Sequence, residues 1–126
     1  MSVIISPPKV YEVNGVVTPL QTIQIIAAGA TNNQTVIAAV TGSHIRVMGW
    51  RCQANGAAIS SINFKDGSGG TIKSIFNAPP NTNGDVDFLP VIDAGYFDCS
   101  LSTGLFVDIG TATGALITVF YIVYTP

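Results

Sequence analysis

Turn-forming residues break this chain every several positions, and the apolar residues between them never recur at the three-and-four spacing of an amphipathic helix. Gly, Asn, Pro, Ser and Thr supply the breaks, and β-branched and aromatic residues fill the intervals. The pattern predicts strands over 22–27, 34–40, 44–52, 58–65, 71–76, 96–100, 105–109 and 115–124. Eight short strands joined by turns fit an all-β fold, a β-sandwich of the jelly-roll kind. The segments Gly29-Ala30-Thr31-Asn32-Asn33, Asp66-Gly67-Ser68-Gly69-Gly70 and Gly110-Thr111-Ala112-Thr113-Gly114 contain residues that tolerate positive φ. The second of these reads as a hairpin tip.

Within the strands, side-chain alternation assigns faces. Ser60, Ile62 and Phe64 alternate with Ser61, Asn63 and Lys65, which predicts one dry and one wet face. The final strand is different. Ala115, Ile117, Val119, Tyr121 and Val123 share one face, Leu116, Thr118, Phe120, Ile122 and Tyr124 share the other, and both faces are apolar. Either the chain's own N-terminal segment or a neighbouring subunit covers the outer one.

The first 21 residues contain Pro7-Pro8, Gly15 and Pro19 between short apolar stretches. Proline is excluded from central strands and extends the residue before it, so 1–21 reads as an extended arm, leaving 22–126 as the sandwich. The segment 77–91, with Pro79, Pro80 and Pro90, reads as a long loop.

A length of 126 residues suits one domain and falls short of two independent cores. Hydrophobic residues make up 48% and charged residues 10%, a balance that leaves much uncharged surface for subunit contacts to cover. This predicts a homo-oligomer, with a trimer favoured. The net charge is −2, and Lys9, Arg46, Arg51, Lys65 and Lys73 are scattered, so no nucleic-acid partner is expected. No apolar run reaches the roughly 18–20 residues of a transmembrane helix, so no membrane partner is expected either. The start of the chain lacks the basic and apolar regions of a signal peptide. Cys52 and Cys99 form no CxxC pair and read as free buried thiols, with a single bridge between facing strands as the alternative.

For catalysis the inventory is thin: one histidine, His44, lies in a strand pattern, and no nucleophile elbow, phosphate loop or zinc-protease motif occurs. The chain reads as non-enzymatic and without a cofactor. Asp85, Asp87 and Asp93, with Asn81 and Asn83, offer oxygen ligands of the kind calcium takes, yet the spacing matches no complete calcium loop. A solvated polar loop is the plainer reading. Trp50 belongs in a core or an interface, with a sugar-stacking platform as the alternative. The candidate contact residues for a partner or second subunit are Val3, Ile4, Ile5, Val10, Val16, Val17, Trp50, Phe120, Ile122 and Tyr124.

The order Thr35-Val36-Ile37-Ala38-Ala39-Val40-Thr41-Gly42-Ser43-His44-Ile45-Arg46-Val47, then Ile62-Asn63-Phe64-Lys65-Asp66-Gly67, then Gly95-Tyr96-Phe97, Thr103-Gly104-Leu105-Phe106-Val107 and Val119-Phe120-Tyr121-Ile122-Val123-Tyr124 resembles small β-sandwich proteins encoded in the structural modules of tailed bacteriophages. The resemblance covers residues 30–124 and transfers no catalytic or ligand-binding residue. It implies a virion component of the decoration or cement kind, often trimeric, made in the host cytoplasm and seated on the major capsid protein at the capsid surface. The alternative is a carbohydrate- or receptor-binding sandwich module of a phage fibre or tail.

Overall fold

In the computed structural model, residues 10–81, 86–88 and 96–126 are described. They form strands β1 (Val10–Val13), β2 (Val16–Pro19), β3 (Gln21–Ala27), β4 (Thr31–Ile37), β5 (His44–Ala54), β6 (Ser60–Asp66), β7 (Thr71–Ala78), β8 (Val86–Phe88), β9 (Phe97–Asp98), β10 (Leu105–Ile109) and β11 (Ala115–Tyr124). All pairings are antiparallel. One sheet has the order β4-β10-β6-β7, the other β3-β11-β5-β8 with β9 also on β5, and β1 pairs β2. The two sheets pack face to face as a β-sandwich, as the strand pattern predicts.

The core lies between the sheets. Ile45, Val47, Trp50 and Cys52 from β5 and Ile117 and Val119 from β11 meet Ile62 and Phe64 from β6 and Leu105, Val107 and Ile109 from β10. Ser60, Ile62 and Phe64 are fully buried, so the alternation in β6 places the dry face correctly. Trp50 spans the layers: its ring stacks on Phe76 at 4.1 Å between centroids and 7° between planes, and it meets Phe64 at 6.3 Å. Such pairs add about 0.5–1.5 kcal/mol beyond their buried area.

On β11, Ala115, Ile117, Val119 and Tyr121 face this core, whereas Leu116, Thr118 and Phe120 on the outer face are half-buried. A bulge opposite Phe120 and Tyr121, where β5 carries Met48 as an extra residue, shifts the register so that Ile122 falls opposite Arg46.

Several expected boundaries differ for local reasons. β4 runs over 31–37 rather than 34–40, because Asn33 takes a left-handed φ of 56° and Gln34 bonds back to Ala28, which lets an Asn-rich turn pair with β10 through two register shifts. Within the expected arm, residues 10–19 form a hairpin, not an extended segment. Asn14 and Gly15 have φ of 52° and 78°, the left-handed pair a two-residue hairpin turn requires. Within the expected loop, Val86–Phe88 pairs with Trp50–Cys52. The hairpin tip at 66–70 forms as expected, with Gly67 and Gly69 at positive φ.

Candidate functional site

At one end of the five-stranded sheet, β5, β9 and β11 bring Arg46, Asp98 and Tyr124 together. Arg46 Nε donates to Asp98 Oδ1 at 2.6 Å and Nη2 to Oδ2 at 3.2 Å, while the Tyr124 hydroxyl donates to the same Oδ2. The guanidinium carbon lies 4.8 Å from the Tyr124 ring centroid, and His44 stacks on that ring at 5.3 Å. The Nδ1–H of His44 donates to the Cys99 carbonyl oxygen at 2.9 Å. Burial pushes the Asp98 carboxyl up, but the hydrogen bonds from Arg46 and Tyr124 outweigh it and hold the group below its ordinary range. The same bond with Asp98 raises Arg46, and burial followed by the Asp98 bond raises Tyr124. Burial pushes the Cys99 thiol up to about 12, so it is not an activated nucleophile.

A second knot sits on the outer face of the four-stranded sheet. Lys65 Nζ donates to Asn33 Oδ1 at 2.8 Å and lies 3.2 Å from Asp108 Oδ2. Asn33 N donates to Asp108 Oδ1 at 2.7 Å, and Gly69 N donates to Asn33 Oδ1 at 2.7 Å. Nearby, Asp66 accepts bonds from Ser100 N at 2.8 Å and Ser100 Oγ at 2.5 Å. The charges in both knots therefore fasten strands and turns to one another. Among the residues whose burial is described, Glu12, Arg51 and Lys73 are the exposed charged ones.

Much of the rest of the described surface is apolar or neutral. From Val13 to Ser43 the chain contains no Asp, Glu, Lys, Arg or His, and this run supplies β2, β3 and β4. Val16 (63% exposed), Val17 (66%) and Ile26 (69%) stand out from it. Across β3 and β11 the outer-face rows are Ile26 with Leu116, Gln24 with Thr118 and Thr22 with Phe120. A cleft of about 170 Å³ lies between the hairpin and the end of β11, lined by Val16, Val17, Pro19, Val123 and Tyr124 among others. Asn14 Nδ2 donates to Thr125 O at 3.1 Å beside it.

The expected contact residues divide accordingly. Val16 and Val17 are exposed, Phe120 and Tyr124 are half-buried, and Val10 pairs with Pro19 in β1. Trp50 and Ile122 are buried, at 6% and 1% exposure, so neither offers contact surface; the inter-sheet aromatic stack claims Trp50. Val3, Ile4 and Ile5 lie outside the described residues, as do Asn83, Asp85 and Asp93. Asp87 falls in β8 opposite Arg51. Among the described residues no group of three or more His, Cys, Asp or Glu side chains converges as a metal site, and Cys52 and Cys99 are both buried. The exposed Ile26 was missed as a contact candidate. The signal that finds it is the charge-free run from Val13 to Ser43. No family model and no curated protein matches the chain.

Proposed function

We propose that this protein is a non-enzymatic structural component that works by packing against copies of itself and onto a larger particle, as a decoration or cement protein does on a phage capsid. The observation that carries the reading is the uncharged run that supplies β2 and β3, where Val16 and Val17 stay exposed at the Tyr124 end of β11 and Ile26 stays exposed beside half-buried Leu116 at its other end. Apolar area left on a rigid, charge-poor face is what subunit contact removes from water, at about 25 cal/mol per Å². The phage assignment within this reading rests on the sequence resemblance across residues 30–124.

Density-banded particles from cells that carry the gene test the proposal. The expected result is the chain present in fixed ratio to the major capsid protein. Purified particles that lack the chain in cells producing it overturn the decoration reading. The carbohydrate-binding alternative draws no support from Trp50, its natural stacking platform, because that ring is buried between the sheets.

A further inference from the structure

A β-sheet edge is a template for another chain, and folded proteins guard their edges with prolines, lysines, bulges or very short strands. Among the described residues, most edges of this sandwich are guarded. β4 pairs with β10 through two register shifts. β7 contains Lys73, and its pairing with β6 is shifted at Phe64 and Lys65. β8 and β9 have three and two residues. β1 carries Glu12 and β2 ends at Pro19.

β3 has none of these devices. Gln21–Ala27 pairs with β11 over seven consecutive residues without a shift, contains neither charge nor proline, and among the described residues has no strand on its other side.

Resting on the self-association reading above, we propose that the free edge of β3 pairs antiparallel with β3 of a second copy about a two-fold axis at Gln24, joining the two five-stranded sheets into one. The sequence of the strand is self-complementary in that register. Ile23 falls opposite Ile25 of the second copy, Thr22 opposite Ile26, and Gln24 opposite its twin. Opposed β-branched residues are favourable cross-strand pairs, and two glutamine amides can exchange hydrogen bonds. An edge without charge meets its own copy without repulsion. The contact is isologous, so it closes at two subunits and replaces the three-fold closure expected from the sequence. The backbone ladder supplies the affinity, as in other strand additions.

Two single substitutions test the geometry, both at Gln24, an exposed position. Light scattering at tens of micromolar should give the wild-type chain twice its 13.1 kDa mass. Gln24→Lys places like charges face to face and should shift that mass to the monomer while the far-ultraviolet circular dichroism of the folded chain is retained. Gln24→Cys should form an intermolecular disulfide under mild oxidation, whereas Ser68→Cys at the exposed β6–β7 tip should not. A wild-type monomer overturns both this contact and the self-association reading. An oligomer that ignores Gln24→Lys and does not cross-link through Gln24→Cys overturns the β3 contact alone. A Gln24→Cys monomer that dimerises only after deletion of residues 1–9 assigns the edge to the chain's own N-terminal segment and also overturns it.

Discussion

Arg46 grips Asp98 through two parallel hydrogen bonds, Nε to Oδ1 at 2.6 Å and Nη2 to Oδ2 at 3.2 Å, and so fixes the two-residue strand β9 against the long strand β5. A strand as short as Phe97–Asp98 has little ladder of its own, and the fork geometry of a guanidinium on a carboxylate supplies the missing constraint.

This pair makes stability depend on acid. Asp98 titrates below its ordinary value of 3.8 in the folded chain, so its contribution is complete at neutral pH, begins to fall as pH drops below about 4, and is gone once pH passes below the folded-state value. Both side chains are about one-third exposed, which limits the effect to about 1 kcal/mol. Urea midpoints of wild type and Asp98→Asn should differ at pH 6 and converge near pH 2. Tyr124 gives the opposite limb: its raised pKa stabilises the fold below about pH 10 and is lost as pH rises through the folded-state value. A deficit of Asp98→Asn that persists unchanged into acid would show the pair to be inert.

Trp50 is the keystone between the sheets, in contact with Phe64, Phe76 and Tyr96. Trp50→Ala should cost about 3–5 kcal/mol in chemical denaturation. The stacked geometry also makes the near-ultraviolet circular dichroism of the single tryptophan strong, and Phe76→Leu should weaken that signal while the fold persists.

Lys65 is 10% exposed at its side chain and Asp108 is 18%. Removing one partner strands the other with little water, so Lys65→Met should destabilise by about 2 kcal/mol, less than the roughly 3–5 kcal/mol of a fully enclosed pair. The double variant Lys65→Met/Asp108→Leu should recover part of the loss. If the double variant loses the sum of the single losses, the pair is uncoupled.

Ser60 is fully buried and its Oγ has no hydrogen-bond partner among the described residues. Desolvating a hydroxyl without compensation costs about 1–3 kcal/mol. Ser60→Ala, at a position whose cross-strand neighbour is Ala78, should therefore raise the melting temperature. A lowered melting temperature would mean that the hydroxyl is satisfied in solution.

Legibility followed the range of the interaction. The alternation of Ser60, Ile62 and Phe64 and the long run 115–124 were readable because a strand declares its faces locally. The hairpin at 10–19 is masked in the sequence by Pro7-Pro8 and Pro19, although Asn14-Gly15 between Val13 and Val16 is a strong two-residue turn signal. Val86–Phe88 pairs only because β5 offers Trp50–Cys52 as a template, which no local pattern reveals. Asn33 likewise gains its role from Lys65 and Asp108, distant in sequence. For the candidate surface, the neutral run 13–43 is a sequence signal that points to Ile26, but the burial of Trp50 in the inter-sheet core and of Ile122 on the outer face of β11 depends on tertiary packing.

β11 lies between β3 and β5, yet it is the last of the described strands to be synthesised. On the ribosome, β3 and β5 must wait side by side with a gap where their shared neighbour belongs. The five-stranded sheet therefore cannot close progressively from its first strand as the chain emerges; it closes when β11 inserts, in a step that pairs residues some 60 to 100 positions apart. Until then the uncharged β3 has both edges open, and a nascent chain delayed before Ala115 is the species most exposed to premature pairing with its neighbours on the same message.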